Sequence, residues 1–135
     1  MTTILQQLSA PTLDQIRAAQ QRLKGIAVRT PLLRLDVAEV EAELWLKLEN
    51  LQPIGSFKIR GGGNAMLSAS PAELQNGVYT ASAGNMAQGV AYVARRVGVP
   101  CSVIVPDHAP ETKLASIERL GGRIVKVPFL SLIHI

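Results

Sequence analysis

Lys58 is the residue of this chain whose neighbours most strongly suggest chemistry. It lies in GSFKIRGGG, residues 55–63, directly after Phe57, two residues before Arg60 and shortly before three consecutive glycines. A lysine that reacts as a nucleophile must be kept dry and must have something to react with, whereas a surface lysine tolerates almost any neighbours. Two interpretations follow. Lys58 is a reactive amine, or the glycines form a phosphate-binding loop that Lys58 assists.

The glycines at positions 61–63 do not fit the common nucleotide-binding loops. A P-loop reads GxxxxGK followed by Ser or Thr, but here the lysine precedes the glycines. The dinucleotide fingerprint GxGxxG would need a glycine at position 66, which is Met66, and no acidic residue follows about twenty positions on after a strand. The pattern therefore favours the reactive amine, and it predicts that these glycines let their helix pack closely.

A second stretch, TASAGNMAQG at residues 80–89, places small residues where a strand gives way to a helix. In an open parallel sheet, ligands bind at the carboxyl ends of the strands. Small side chains let a ligand approach the backbone, and a helix that begins near Asn85 offers unpaired amides and the positive end of its dipole. The stretch predicts an anion site of carboxylate size. An ordinary strand-to-helix turn capped by Ser82 is the alternative.

Together with RTPLLRL and KLENLQP upstream, these two stretches resemble the amino-terminal part of the fold-type II pyridoxal-phosphate enzymes, in particular the threonine/serine dehydratases. The resemblance covers residues 28–128. It implies that Lys58 forms the Schiff base with pyridoxal 5'-phosphate, that Phe57 lies beside it, and that Asn85 hydrogen-bonds the cofactor's ring oxygen. It also implies a substrate-carboxylate loop that contains Ser82, Ala83, Gly84, Asn85, Met86 and Gln88.

The resemblance implies an amino-acid ammonia-lyase that eliminates water from threonine or serine to give a 2-oxo acid and ammonia. Racemisation or β-replacement on the same fold, and a non-catalytic fragment or binding module, are the alternatives. Ala83 stands where racemases of this fold have a proton-donating serine, which favours elimination, and Met86 stands where the family usually has histidine. The family's phosphate loop and pyridine-nitrogen partner would follow residue 128, so we expect the 135-residue chain to be inactive by itself.

The reactivity of Lys58 depends on its surroundings. A free lysine has a pKa of about 10.4, so only burial or a cationic neighbour supplies enough neutral amine to attack an aldehyde. We expect a strand-end position beside Phe57 to bury the amine. Arg60 is near enough in sequence either to assist Lys58 or merely to be solvated.

The elements that must position these residues follow from hydrophobic periodicity and stop signals. A helix is predicted over residues 12–23, extended pieces at PLLRL and AELWLKLEN, and a glycine-weakened helix at GGGNAMLSA. The order is then strand GVYTASA, helix NMAQGVAYVARRVG, strand CSVIVP, helix PETKLASIERLG and strand RIVKVP. Such alternation predicts an α/β fold with an open parallel sheet, right-handed crossovers and helices on both faces.

The chain is predicted to divide into three parts. Residues 1–49 would belong to an incomplete larger domain, residues 50–128 would form a small parallel-sheet domain, and residues 129–135 would be a truncated or non-native tail. We expect Met66 to be a core or wall residue and Trp45 to pack between sheet and helix. His108 and His134 are isolated in sequence, so no metal site is predicted.

Composition places limits on the partners. The chain is 47% hydrophobic and 18% charged, which is typical of a globular domain, and its net charge of +4 is spread without a basic block, which disfavours nucleic acid. Cys101 is the single cysteine, so no internal disulfide can form. No apolar run reaches the roughly 18 residues of a membrane span. We expect a cytoplasmic homo-oligomer that acts on a small amino-acid substrate and does not bind membranes.

Overall fold

The computed structural model describes residues 9–38 and 40–128. The predicted tail at 129–135, including His134, lies outside these ranges. The elements follow the predicted order, with a short helix α3 added. They are α1 (Leu13–Arg22), β1 (Leu32–Leu35), β2 (Leu44–Lys47), a 3-10 turn (Glu49–Leu51), α2 (Lys58–Ser68), α3 (Pro71–Leu74), β3 (Val78–Ala81), α4 (Asn85–Val97), β4 (Cys101–Pro106), α5 (Glu111–Arg119) and β5 (Arg123–Val127).

Strands β3, β4 and β5 form a parallel sheet in that order. At its centre, Val103 of β4 lies between Thr80 of β3 and Ile124 of β5 in the strand register. Helix α4 connects β3 to β4, and α5 connects β4 to β5, as parallel neighbours require. The predicted α/β fold with a parallel sheet is therefore confirmed.

Both crossover helices pack on the same face of this sheet. A Cβ built on Gly122 would lie 2.7 Å from Ile117 of α5, 3.1 Å from Val103 and 3.2 Å from Ala91 of α4, so all three side chains meet on one side. Along β4, Val103 and Val105 are fully buried, whereas alternate residues are half-buried. The sequence predicted helices on both faces of the sheet. Within the described residues, the two crossover helices cover one of these faces.

Strands β1 and β2 form a separate antiparallel pair in which every residue is exposed. Trp45 is 52% exposed, so the prediction that it packs between sheet and helix is wrong. Met66, in contrast, is buried in the core as expected. The proposed division of the chain near residue 50 stays a prediction.

Glycines allow α2 to pack tightly against its neighbours. A Cβ on Gly62 would lie 3.4 Å from Val90 of α4, and one on Gly63 would lie 2.9 Å from Leu23. Gly61 faces open space, with nothing within 4 Å of its Cβ position. The predicted close packing is therefore found at two of the three glycines, because apolar side chains lie against their Cβ positions.

The helix ends agree with the stop signals in the sequence. Helix α1 begins with a capping box between Thr12 and Gln15, and α4 ends at Gly98, whose φ of 75° favours glycine. The unpredicted α3 has a capping box between Ser70 and Glu73, and the SPAE sequence there was the signal for it. None of the helices in the described part of the chain is long and apolar enough to cross a membrane.

Candidate active site

Lys58 is the first residue of α2, so the expectation that it ends a strand is wrong. Its backbone N–H donates to the Oγ of buried Ser56 at 3.3 Å, which satisfies one of the unpaired amides at the helix start. Its Nζ lies 5.1 Å from the centre of the Phe57 ring. Phe57 itself is 58% exposed and Lys58 is half-buried, so the ring contacts the amine without enclosing it.

The second predicted stretch forms the turn from β3 into α4. Helix α4 begins at Asn85 and is preceded by Gly84, which provides no side-chain cap. The Oγ of Ser82 accepts the Gly84 N–H at 3.1 Å, so it stabilises the turn and does not cap the first amides of α4. The prediction that Ser82 caps the helix is therefore wrong, while the choice between an anion site and an ordinary strand-to-helix turn stays open. The amide donors of the first turn of α4 remain available to a ligand, as an anion site requires.

The two stretches meet where α2 and α4 pack together. A Cβ on Gly89 would lie 3.2 Å from the carbonyl oxygen of Lys58, so the start of α2 abuts α4 directly. Asn85 is four residues before Gly89 and so lies on the same face of α4, one turn closer to its amino terminus. The backbone of Lys58 thus lies next to the first turns of α4.

The remaining residues of the predicted carboxylate loop surround this helix start. Ala83 is half-buried against the core, and Asn85 is exposed. Met86 packs toward α2, with its sulfur 3.8 Å from the Cβ position of Gly62. The backbone N–H of Gln88 donates to Gly84 O at 3.2 Å and closes the first helical turn. Met86 is thus a packing residue between the two helices.

Arg60 is engaged by a carboxylate and not by Lys58. Its Nε donates to Glu49 Oε2 and its Nη2 to Glu49 Oε1, both at 2.8 Å, in a bidentate ion pair. Its Nη2 also donates to Val28 O at 3.0 Å. Arg60 is thus paired with a carboxylate and not merely solvated, whereas assistance to Lys58 stays a prediction.

Glu49 and Gln52 are the residues near the site that sequence reasoning missed. Glu49 also accepts from the Thr30 Oγ1 at 2.6 Å and the Gln52 Nε2 at 3.2 Å. The Arg60 hydrogen bonds, opposed by burial and supported by Thr30, lower the pKa of Glu49 from its ordinary 4.5 to about 2. Gln52 bonds both the N–H and the C=O of Val28, at 2.9 and 2.8 Å. The signal was the ENLQ run directly upstream of the lysine stretch.

The described residues form no cluster that could hold a metal. Across residues 9–38 and 40–128, no three His, Cys, Asp or Glu side chains come together in a possible metal site. His108 is exposed, and its Nδ1 lies 3.2 Å from Asp107 Oδ1.

The arrangement suits a ligand that carries both an aldehyde and anionic groups. A half-buried primary amine can bond covalently to a carbonyl carbon, and the nearby helix start can bind a negatively charged oxygen. At Gly84, the nearest atom to a built Cβ is Ser82 Oγ at 3.9 Å, so the backbone there is open to close approach. These features fit pyridoxal phosphate.

Comparisons with known proteins point to the same chemistry. A family model described as pyridoxal-phosphate dependent enzyme matches residues 23–130. The L-threonine ammonia-lyase of Thermotoga maritima is 44% identical over 116 residues, which are 84% of this chain and 29% of that protein. The serine racemase of Schizosaccharomyces pombe is 39% identical over 120 residues, 87% of this chain and 37% of that protein.

A solved structure shows the same fold. Maize serine racemase superposes with a TM-score of 0.83 at 34% identity and covers 89% of this chain and 37% of that one. The chain therefore spans about a third of the length of the relatives that it matches.

Proposed function

The chain belongs to the pyridoxal-phosphate-dependent enzymes, and from that premise we propose that it forms part of an ammonia-lyase that eliminates water from threonine or serine. The products would be a 2-oxo acid and ammonia. The supporting relatives include an L-threonine ammonia-lyase at 44% identity and an L-threo-3-hydroxyaspartate ammonia-lyase at 42%. Both act on amino acids, according to their names, and both cover more than four-fifths of this chain.

The observation that carries the proposal is the contact between the start of α2 and the face of α4 that begins at Asn85. When bound, pyridoxal phosphate supplies an aldehyde for covalent attachment and a ring that stabilises negative charge at the substrate's α-carbon. The Nζ of Lys58 would hold the cofactor and, once released, would accept the α-proton. The first-turn amides of α4 would bind the substrate carboxylate, with Asn85 beside the cofactor.

Ala83 supports elimination over racemisation. Serine racemases are among the relatives, at 39% identity for that of Schizosaccharomyces pombe, so racemisation is the second candidate. Racemisation requires a proton donor on the face of the α-carbon opposite the lysine. Ala83 lies in the turn before α4, where it presents a methyl group that has no proton to give. We therefore propose a lyase with little racemase activity.

Reductive labelling tests the proposal directly. The full-length protein would be incubated with pyridoxal phosphate, reduced with borohydride and mapped by peptide mass spectrometry. We expect a pyridoxyl group on Lys58 and its loss in Lys58→Arg, which keeps the charge. Label on other lysines with none on Lys58 would contradict the proposed role.

We also propose that the 135-residue chain does not turn over substrate without the rest of the protein. It spans 29–37% of the two relatives compared above. The family resemblance implies that residues enclosing the site, such as the phosphate loop, follow residue 128. An open site leaves charged contacts screened by water. A cytoplasmic location and a homo-oligomeric state of the complete protein remain part of the proposal. Assay of the purified chain with threonine and serine tests the first point.

A further inference from the structure

Glu49 and Arg60 join the two ends of the segment that carries Lys58. Glu49 begins the 3-10 turn, and Arg60 is the third residue of α2. Between them the chain turns at Gly55, whose φ is 66° and whose N–H donates to Gln52 O at 2.7 Å. The ion pair thus closes this loop just beyond the lysine.

This closure is rigid because the carboxylate is fully engaged. Glu49 accepts hydrogen bonds from Arg60 Nε and Nη2, Thr30 Oγ1 and Gln52 Nε2 at distances of 2.6–3.2 Å. Arg60 and Gln52 both bond Val28 as well, so the amino-terminal segment holds the same cluster. The Glu49 side chain is 17% exposed. Bidentate arginine–carboxylate pairs fix geometry as well as charge.

Arg60 and Lys58 lie on different sides of helix α2. Residues two apart on an α-helix are separated by about 200° around the axis, so Lys58 and Arg60 lie on nearly opposite sides of α2. Anchoring Arg60 to Glu49 and Val28 on one side turns Lys58 to the other. The backbone carbonyl of Lys58 lies against Gly89 of α4, one turn from Asn85.

We propose that Glu49 and Arg60 are positioning residues, whose ion pair orients Lys58 for reaction with a carbonyl opposite the start of α4. This inference rests on the proposed role of Lys58 and adds to it residues that touch neither cofactor nor substrate. A purely structural ion pair would stabilise the fold and leave the reactivity of Lys58 in folded molecules unchanged. A positioning pair would change that reactivity.

The test compares two lysines within the same folded molecule. The full-length apoprotein is exposed to pyridoxal phosphate, quenched with borohydride at timed intervals, and mapped to give the labelling rates of Lys58 and of exposed Lys113 on α5. Their ratio does not depend on the protein concentration, and it is compared only between samples that are folded. We expect Glu49→Gln to lower the ratio at least about tenfold, because small displacements of a reacting group reduce rates strongly.

Arg60→Lys is the conservative variant that separates geometry from charge. It keeps the positive charge but replaces the five-donor planar fork by a single ammonium, so we expect a similar fall in the ratio. Glu43→Gln is the matched control. It removes a carboxylate from an exposed ion pair at 3.3 Å with Arg34 of β1, and it should leave the ratio unchanged.

The outcomes distinguish the inference from its premise. If wild-type protein gives no label at Lys58, the proposed function fails, and the inference fails with it. If Lys58 is labelled in wild type but either folded variant, Glu49→Gln or Arg60→Lys, keeps the ratio within about twofold, the positioning role is wrong while the proposed function stands. Far-UV circular dichroism establishes folding, and if Glu49→Gln does not fold, Arg60→Lys decides.

Discussion

Glu49→Gln should remove a pH-dependent part of the stability of this protein. The substitution keeps the shape of the side chain but deletes the charge that Arg60 binds. Because the pKa of Glu49 is lowered from 4.5 to about 2 in the folded state, the carboxylate stabilises the fold above the unfolded-state pKa. That stabilisation is lost as the pH falls through the folded-state pKa.

The magnitude follows from the same pKa values. Each pKa unit corresponds to about 1.4 kcal/mol, so the difference between 4.5 and about 2 gives an upper value of about 3.5 kcal/mol. The Arg60 side chain is 37% exposed, and solvent screening reduces the value toward about 2 kcal/mol. We expect the stability gap between wild type and Glu49→Gln to be about 2–3 kcal/mol at pH 7 and less than half of that at pH 3.

Urea unfolding followed by circular dichroism at several pH values measures this gap. Other carboxylates titrate equally in both proteins, so the difference between the two isolates Glu49. Glu43→Gln provides the control, since its ion pair is exposed on both sides and should contribute little at any pH. A Glu49→Gln loss below about 0.5 kcal/mol at pH 7, or a loss that is constant from pH 7 to pH 3, would refute the reasoning.

Three further substitutions test the packing and the chemistry. Gly61→Ala should stabilise the protein by about 0.5–1 kcal/mol in urea unfolding, because its Cβ meets nothing within 4 Å in a helix interior. Gly89→Ala should destabilise it by about 1–3 kcal/mol, since the new methyl group would lie 3.2 Å from the Lys58 carbonyl; an unchanged midpoint would contradict this contact. Ala83→Ser in the full-length enzyme should raise D-serine formation, measured by chiral chromatography, and a parent that already racemises serine as fast as it deaminates it would overturn the argument.

The pyridoxal-phosphate family and the cofactor were predictable because their residue patterns are local and specific. The match over residues 23–130 confirms the resemblance drawn from GSFKIRG and SAGNMAQG. The same short-range information predicted most of the secondary structure. Apolar alternation in CSVIVP and the stop at Gly98 each depend on a few neighbouring residues, and both are found in the structure.

Part of the site could be predicted as well. Parallel strands bring their carboxyl ends to one edge, so a helix start after β3 was expected to face a ligand. The structure places Lys58 beside that helix through the close contact at Gly89. The roles assigned to Lys58, Phe57, Asn85 and the carboxylate loop remain proposals.

The tertiary structure decided the surroundings of these residues. Lys58 begins a helix and does not end a strand, because the chain first turns at Gly55 and the Ser56 hydroxyl then accepts the Lys58 N–H. Periodicity does not specify such a turn. The sheet has its described helices on one face because both crossovers run in the same direction along the strand order β3-β4-β5.

The ion pair between Glu49 and Arg60 is the clearest case. The two residues are eleven positions apart, outside the three- or four-residue spacing at which charges on one helix meet. Their contact depends on the turn between them, and the same guanidinium also donates to Val28 O. The sequence by itself identified Lys58 and the helix that begins at Asn85, since both depend on local patterns. Only the folded path of the chain decided which charged side chains pair near them.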